Sequence, residues 1–214
     1  MSDRCAEARR MVEQQLRGRG MRDEAVLDAM CHVARHEFVP EGHRRQAYDD
    51  RALPTSDGQT ISQPYIVALM TEMAQIRSGH HVLEIGTGSG YQAAVLAYLG
   101  ARVTTVELRP GLARSAERRL TVLGVSNVTV VPGDGTLGHV DAGPFDRIIV
   151  TAAAPHMPDA LRHQLADPGR CVIPIGARDL QRLHVFELNG GEWSMQRRTA
   201  CRFVPLTGED GWRG

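Results

Sequence analysis

Between residues 82 and 90 the chain reads Val82-Leu-Glu-Ile-Gly-Thr-Gly-Ser-Gly90: a short apolar strand that runs directly into three glycines at alternate positions. A helical pattern follows from Gln92 to Leu99. Glycine at 86 and 88 permits a tight turn and leaves no Cβ between the backbone and a bound molecule, at the carboxyl end of a strand where open α/β sheets hold their ligands. Strand and helix signals then alternate: strands at 102–107, 127–131, 147–151 and 171–175, helices at 112–123 and 158–166. Short, nearly all-apolar strands separated by helices predict a doubly wound, mostly parallel sheet covered on both faces, a Rossmann-like α/β fold. The rhythm changes near the C-terminus, where 183–188 and 199–206 read as antiparallel strands joined through Asn189-Gly-Gly191.

The N-terminal part reads as a cover over this core. Asp23 is the expected N-cap of a helix that places Val26, Leu27 and Met30 on one face. From Val33 to Gly58 periodicity is lost, and an irregular stretch of that length in a compact domain points to an active-site wall or lid. Pro64 then sits in the first turn of a helix carrying Ile66, Leu69, Met70 and Met73. The expected organisation is one domain of 214 residues: cover and lid over 1–60, ligand-binding core over 61–176, C-terminal strands over 177–214.

Charge excludes several functions. The 25 arginines, with no lysine, balance 25 acidic residues, so no long-range field favours nucleic acid or an anionic membrane. No apolar run approaches the roughly 18 residues of a membrane span. The four scattered cysteines form neither a CxxC pair nor a dense disulfide framework, and together with a charged N-terminal start they place the chain in the cytoplasm.

The glycine spacing also restricts the ligand. A dinucleotide fingerprint needs a third glycine where Tyr91 stands, and a phosphate-cradling P-loop needs a lysine. Glu107 closes the second strand of the core, about where a carboxylate can accept hydrogen bonds from both ribose hydroxyls. Asp134, in Pro132-Gly-Asp-Gly135, reaches the same edge after the third strand and suits an adenine amino group. Glu84 can contact a cofactor's amino-acid part or the neighbouring helix. His36-Glu37 begins like a zinc motif but has Pro40 where the second histidine is needed, and His80 and His81 are placed to flank the first core strand, so no metal is expected.

Several stretches resemble the protein-L-isoaspartate O-methyltransferases: Met11-Val-Glu-Gln-Gln15, Phe38-Val-Pro-Glu41, Gly58-Gln-Thr-Ile-Ser-Gln-Pro64, Leu83 through Gln92, Gly133-Asp-Gly135, Ile149-Val-Thr-Ala-Ala-Ala-Pro155, Phe203-Val-Pro-Leu206 and Gly211-Trp212. The resemblance implies a class I S-adenosylmethionine-dependent enzyme that methylates the α-carboxylate of L-isoaspartyl residues in damaged peptides and proteins, releasing S-adenosylhomocysteine. It places the active-site serine at Ser62. Cofactor residues fall on Gln59, Thr60, Glu84, Gly86, Gly88, Glu107, Asp134 and Gly135, with Thr207 added, and the substrate wall on Ser62, Ala152, Ala153 and Ala154. The partners implied are isoaspartyl peptides and proteins, without nucleic acid, membrane or metal; a monomer is the expected state. Ala34, His36, Thr55 and Ser56 depart from the family pattern and bear on peptide selection. Methylation of ordinary aspartate in a dedicated peptide, or of a small-molecule acid, is the alternative; a non-catalytic module that senses S-adenosylmethionine is another, and a hydride-transferring dehydrogenase is a third, disfavoured by Tyr91.

Overall fold

The computed structural model describes residues 3–55 and 58–213. Seven strands form one sheet: β3 (His81–Ile85), β4 (Arg102–Glu107), β5 (Val128–Pro132), β6 (Phe145–Val150), β7 (Leu165–Gly176), β8 (Gln181–Asn189) and β9 (Glu192–Cys201). Their order is β5-β4-β3-β6-β7-β8-β9. The first five run parallel, and β8 and β9 are added antiparallel. The chain starts at β3, winds outward to β5 and returns to the other side of β3 with β6. That reversal opens a crevice beyond the carboxyl ends of β3 and β6.

Period-two alternation sorts the strand residues onto two faces. Val82, Val103, Ile149 and Val172 enter one apolar cluster with Met70 and Ala74 of α3 (Pro64–Ala74) and Ala93 and Leu96 of α4 (Tyr91–Tyr98). Their neighbours Leu83, Ile148 and Ile173 enter another with Leu161 of α6 (Asp159–His163). Helix α5 (Pro110–Val122) packs along β4 and β5. The N-terminal residues form α1 (Asp3–Met11), a π-helical turn at Val12–Leu16 and α2 (Glu24–His32). Asp23 caps α2 by accepting from Ala25 N at 3.1 Å and Val26 N at 3.3 Å. Met11, Leu16, Leu27 and Met30 share a cluster with Ala68, Tyr91 and Val95, so the cover joins the core through α3 and α4.

Three expected elements differ. The helix predicted to reach Ala166 ends at His163, because Leu165 pairs with Phe145 and starts β7 six residues earlier than the apolar run at Cys171 implied. The strand expected at 199–206 begins instead at Glu192, directly after the Gly190-Gly191 turn, and ends at Cys201. Beyond it Val204–Leu206 reaches Ala153 through an isolated parallel bridge. The irregular segment from Val33 contains 3-10 turns at Arg35–Phe38 and Glu41–Gln46, then the short strand β1 (Leu53–Pro54), which pairs with β2 (Thr60–Ile61).

Candidate active site

Ile85 lies level with Val106 and Val150 in the parallel register, so Gly86, Glu107 and Thr151 leave three adjacent strands at one height. Gly86 has φ +94°, and a Cβ there would stand 2.5 Å from Thr151 Oγ1. Thr151 Oγ1 is itself 2.9 Å from the Ile85 carbonyl and 2.7 Å from that of Gly86, which fixes the turn. Gly135 comes as close: its Cβ would meet Ile85 Cγ2 at 2.4 Å. These approaches leave a cavity of about 300 Å³ whose lining includes Gln59, Thr60, Ser62, Glu84, Gly86, Gly88, Glu107, Gly135, Ala152 and Thr207. Segments of the chain as far apart as 59–62 and 204–207 therefore meet on one wall.

Glu107 carries the glycine loop. Its Oε2 accepts from Gly88 N at 2.9 Å and its Oε1 from Arg109 N at 3.0 Å. Glu84 is fully buried, opposite Thr105 in the register of β3 and β4. Thr105 donates to Glu84 Oε2 at 2.6 Å and lies 2.7 Å from the Thr87 hydroxyl, whereas Glu84 Oε1 is buried without a hydrogen-bond partner. Burial pushes the Glu84 carboxyl up to about 8, against the Thr105 hydrogen bond and helped by the negative charge of Glu107.

Ser62 lies between β2 and α3. The N-cap of α3 is Gln63, without a capping side-chain bond, and Pro64 occupies the first turn. Serine at 62 is thus one residue too early to cap. Its carbonyl accepts from Arg35 Nη2 at 2.7 Å, and its hydroxyl makes no hydrogen bond to a described residue while the residue lines the cavity. Gln63 is anchored by its amide, 2.7 Å from Asp50 Oδ1.

Not every expected residue reaches the cavity. Asp134 caps the turn Gly135–Leu137: its Oδ1 accepts from Thr136 N and Thr136 Oγ1 at 2.8 and 2.7 Å, and its Oδ2 from Glu209 N at 2.7 Å. It lies behind Gly135 and off the lining. Ala153 and Ala154 are buried beside the cavity, their backbones bonded to Val204, Leu206, Pro174 and Gly176, so of the three alanines only Ala152 is on the wall. The irregular segment packs behind the wall and reaches it only from Gln59 onward. Within it, His36 Nδ1 is 2.8 Å from the Tyr48 hydroxyl, Ala34 precedes the 3-10 turn at Arg35, and Thr55 N donates to Gln59 O at 2.8 Å; Ser56 lies outside the described residues. His81 begins β3, at the opposite end of the sheet from the cavity, with its ring 4.6 Å from that of Phe145. No group of three metal-ligating side chains occurs among the described residues.

Sequence reasoning missed Thr105, Thr151 and Arg35. Thr105 carried a usable signal, a polar residue in register with Glu84 inside two apolar strands. Arg35, one of many arginines, carried none.

The family model described as protein-L-isoaspartate(D-aspartate) O-methyltransferase matches residues 6–211. A protein-L-isoaspartate O-methyltransferase of Methanoregula boonei is 50% identical over 98% of this chain and 96% of its own, and one of Koribacter versatilis is 51% identical over 95% and 91%. A solved protein-L-isoaspartate O-methyltransferase superposes with a TM-score of 0.86 at 29% identity, covering 95% of this chain and 67% of that one. A Plasmodium falciparum protein of the same description, in complex with S-adenosyl-L-homocysteine, superposes with a TM-score of 0.82 at 25% identity over 94% and 98%.

Proposed function

The chain belongs to the protein-L-isoaspartate(D-aspartate) O-methyltransferase family, and from that premise we propose how its residues carry out methyl transfer from S-adenosylmethionine to the α-carboxylate of L-isoaspartyl residues. The donor set fits the cofactor. Glu84 Oε1, buried at the cavity wall without a partner, suits a cationic amino group. Glu107, which already holds the Gly88 and Arg109 amides, retains lone pairs for ribose hydroxyls. Gly86 and Gly88 let the loop approach closely, and Gln59, Thr60, Gly135 and Thr207 complete the wall. Asp134 acts by holding Gly135 and the 208–210 segment in place. When bound, S-adenosylmethionine supplies a methyl group activated on a sulfonium sulfur.

The protein needs no base for this reaction. A carboxylate with an ordinary pKa of roughly 3.3 to 4.3 arrives ionised at neutral pH. One of its oxygens forms the new bond to the methyl carbon while the carbon–sulfur bond breaks and its electron pair stays on sulfur. The work left to the chain is alignment and exclusion of water. The hydroxyl of Ser62, which makes no hydrogen bond to a described residue while Ser62 lines the cavity, is the observation that carries this assignment: it can donate to the incoming carboxylate and set its line of approach. Ala152 keeps the facing wall low for a peptide backbone. The ester carries methoxide, a far better leaving group than the oxide of the free carboxylate, so the neighbouring amide nitrogen attacks the ester carbon, its proton and the methoxide depart as methanol, and the succinimide formed returns some normal aspartate on hydrolysis.

We read cover, core and C-terminal strands as one domain, since one apolar cluster joins Ala8 to Leu120 and another joins Met70 and Val82 to Leu183, Val185 and Cys201, and place it in the cytoplasm. Transfer of labelled methyl to matched peptides containing isoaspartate or aspartate, scored as base-labile ester, tests the substrate. Strong preference for isoaspartate is expected. Equal or reversed preference would move the assignment to a carboxyl methyltransferase for ordinary aspartate or a small acid.

A further inference from the structure

Arg35 is fully buried in the 3-10 turn Arg35–Phe38. Its Nε donates to the Ala47 carbonyl at 2.7 Å and its Nη2 to the Ser62 carbonyl at 2.7 Å. The guanidinium carbon stands 4.8 Å from the centre of the Tyr91 ring, at the start of α4 and on the cavity lining. Nη1 is buried without a hydrogen-bond partner, and among the described residues no carboxylate pairs with this cation.

A buried positive charge without a counter-ion is costly, and two carbonyls can be bridged by a neutral amide at far lower desolvation cost. A tie between Ala47 and Ser62 therefore does not by itself account for an arginine here. What distinguishes this place is that the tied residue, Ser62, lines the cavity with a hydroxyl that makes no hydrogen bond to a described residue, and that the substrate assigned above enters as an anion. The planar fork fixes two directions at once, which a lysine cannot do, and the ring of Tyr91 holds the guanidinium from its face.

We propose that Arg35 is a positioning residue for methyl transfer: its fork sets the orientation of Ser62 from behind, and its unpaired charge favours entry of the substrate carboxylate into a site stripped of water. The proposal rests on the carboxylate-methylating reading of the cavity. It separates two quantities that a purely structural arginine would not separate. Orientation of Ser62 governs kcat; charge governs KM for an anionic peptide.

The test uses the full chain with Arg35→Lys and Arg35→Gln, an isoaspartyl peptide, and S-adenosylhomocysteine affinity by calorimetry, all below the onset of thermal unfolding. Arg35→Lys keeps the charge and loses the fork, so kcat should fall at least fivefold with KM for the peptide within about twofold of wild type. Arg35→Gln also loses the charge, and KM should rise about tenfold or more on top of the lower kcat. S-adenosylhomocysteine affinity should stay within about twofold in both. Folded variants with wild-type kcat and KM would overturn the proposal, and so would failure of both variants to fold, which would assign Arg35 to stability alone. A wild-type protein that does not methylate the isoaspartyl peptide sinks the functional reading together with this one; an active wild type with unaffected variants sinks only the role of Arg35.

Discussion

Glu84 offers a direct way to couple the site to pH. Its carboxyl, raised by burial to about 8 from the usual 4.5, is mostly protonated at neutral pH in the ligand-free protein. Pairing with the cofactor's cationic amino group as an ion pair uses the anion, so binding in that form expels the proton. With a pKa of about 8, the apparent affinity at pH 7 is reduced about tenfold, or roughly 1.4 kcal/mol, relative to a fully ionised site, and about a hundredfold at pH 6. Calorimetric titration with S-adenosylhomocysteine between pH 5.5 and 7.5 should therefore show the dissociation constant falling about tenfold per pH unit. Runs in buffers of different ionisation enthalpy should show close to one proton released per ligand bound at pH 6.5. Glu84→Gln should abolish both the slope and the proton release. The same carboxyl also affects folding, with a definite sign. Because its folded pKa lies above its unfolded one, its contribution to stability is fully present below about pH 4.5 and is lost as pH rises toward 8, at up to about 1.4 kcal/mol per pH unit. Binding without proton release at pH 6.5, or a pH slope that survives in Glu84→Gln, would refute the assignment of the buried carboxyl to the ligand's cationic end.

Ser62→Ala should lower turnover ten- to a hundredfold, roughly 1.4 to 2.7 kcal/mol, with cofactor affinity little changed; since Gln63 and not Ser62 caps α3, thermal unfolding should shift little. Ser62→Asp should fold and be nearly inactive through repulsion of the substrate carboxylate, and near wild-type turnover in that variant would remove Ser62 from the reaction. Glu107→Ala should weaken S-adenosylhomocysteine binding by about 1.5 to 3 kcal/mol, the usual value of hydrogen bonds to a charged group, measured by calorimetry with circular dichroism as the check on folding. Asp134→Asn can no longer accept from both Thr136 and Glu209 in the same way, so proteolysis near Gly208 should accelerate while cofactor affinity falls less than in Glu107→Ala; unchanged proteolysis would mean the Glu209 contact does not hold the segment.

The central strands were legible because each is a compact apolar run with polar ends: β3 and β4 coincide with the expected 81–85 and 102–107. Strand β9 was placed late because nine of its ten residues are exposed, so no alternation marks it. The last three residues of the expected 158–166 helix were lost to tertiary pairing, Leu165 being held by Phe145. At the cavity, Glu84 and Glu107 were legible because they stand in and at the end of apolar strands beside the glycine loop, whereas Ser62 was reached through the family resemblance. The burial of Ala153 and Ala154 was not legible, because it depends on Val204 and Leu206 for Ala153 and on Pro174 and Gly176 for Ala154, all far along the chain. Arg35 depends on Ala47, Ser62 and Tyr91 together, a conjunction that no window of sequence contains.

The meeting of 59–62 with 204–207 on one wall also sets an order of assembly. Val204 follows Gly135 by about seventy residues in the sequence, so the glycine loop, Glu107, Gly135 and the Thr151 that fixes the turn are all synthesised before it. Until residues 204–207 are in place the cavity lacks that part of its lining and cannot keep water from a ligand. Methyl-transfer competence therefore waits on residues 204–207, and a chain stopped short of Val204 would be no working catalyst.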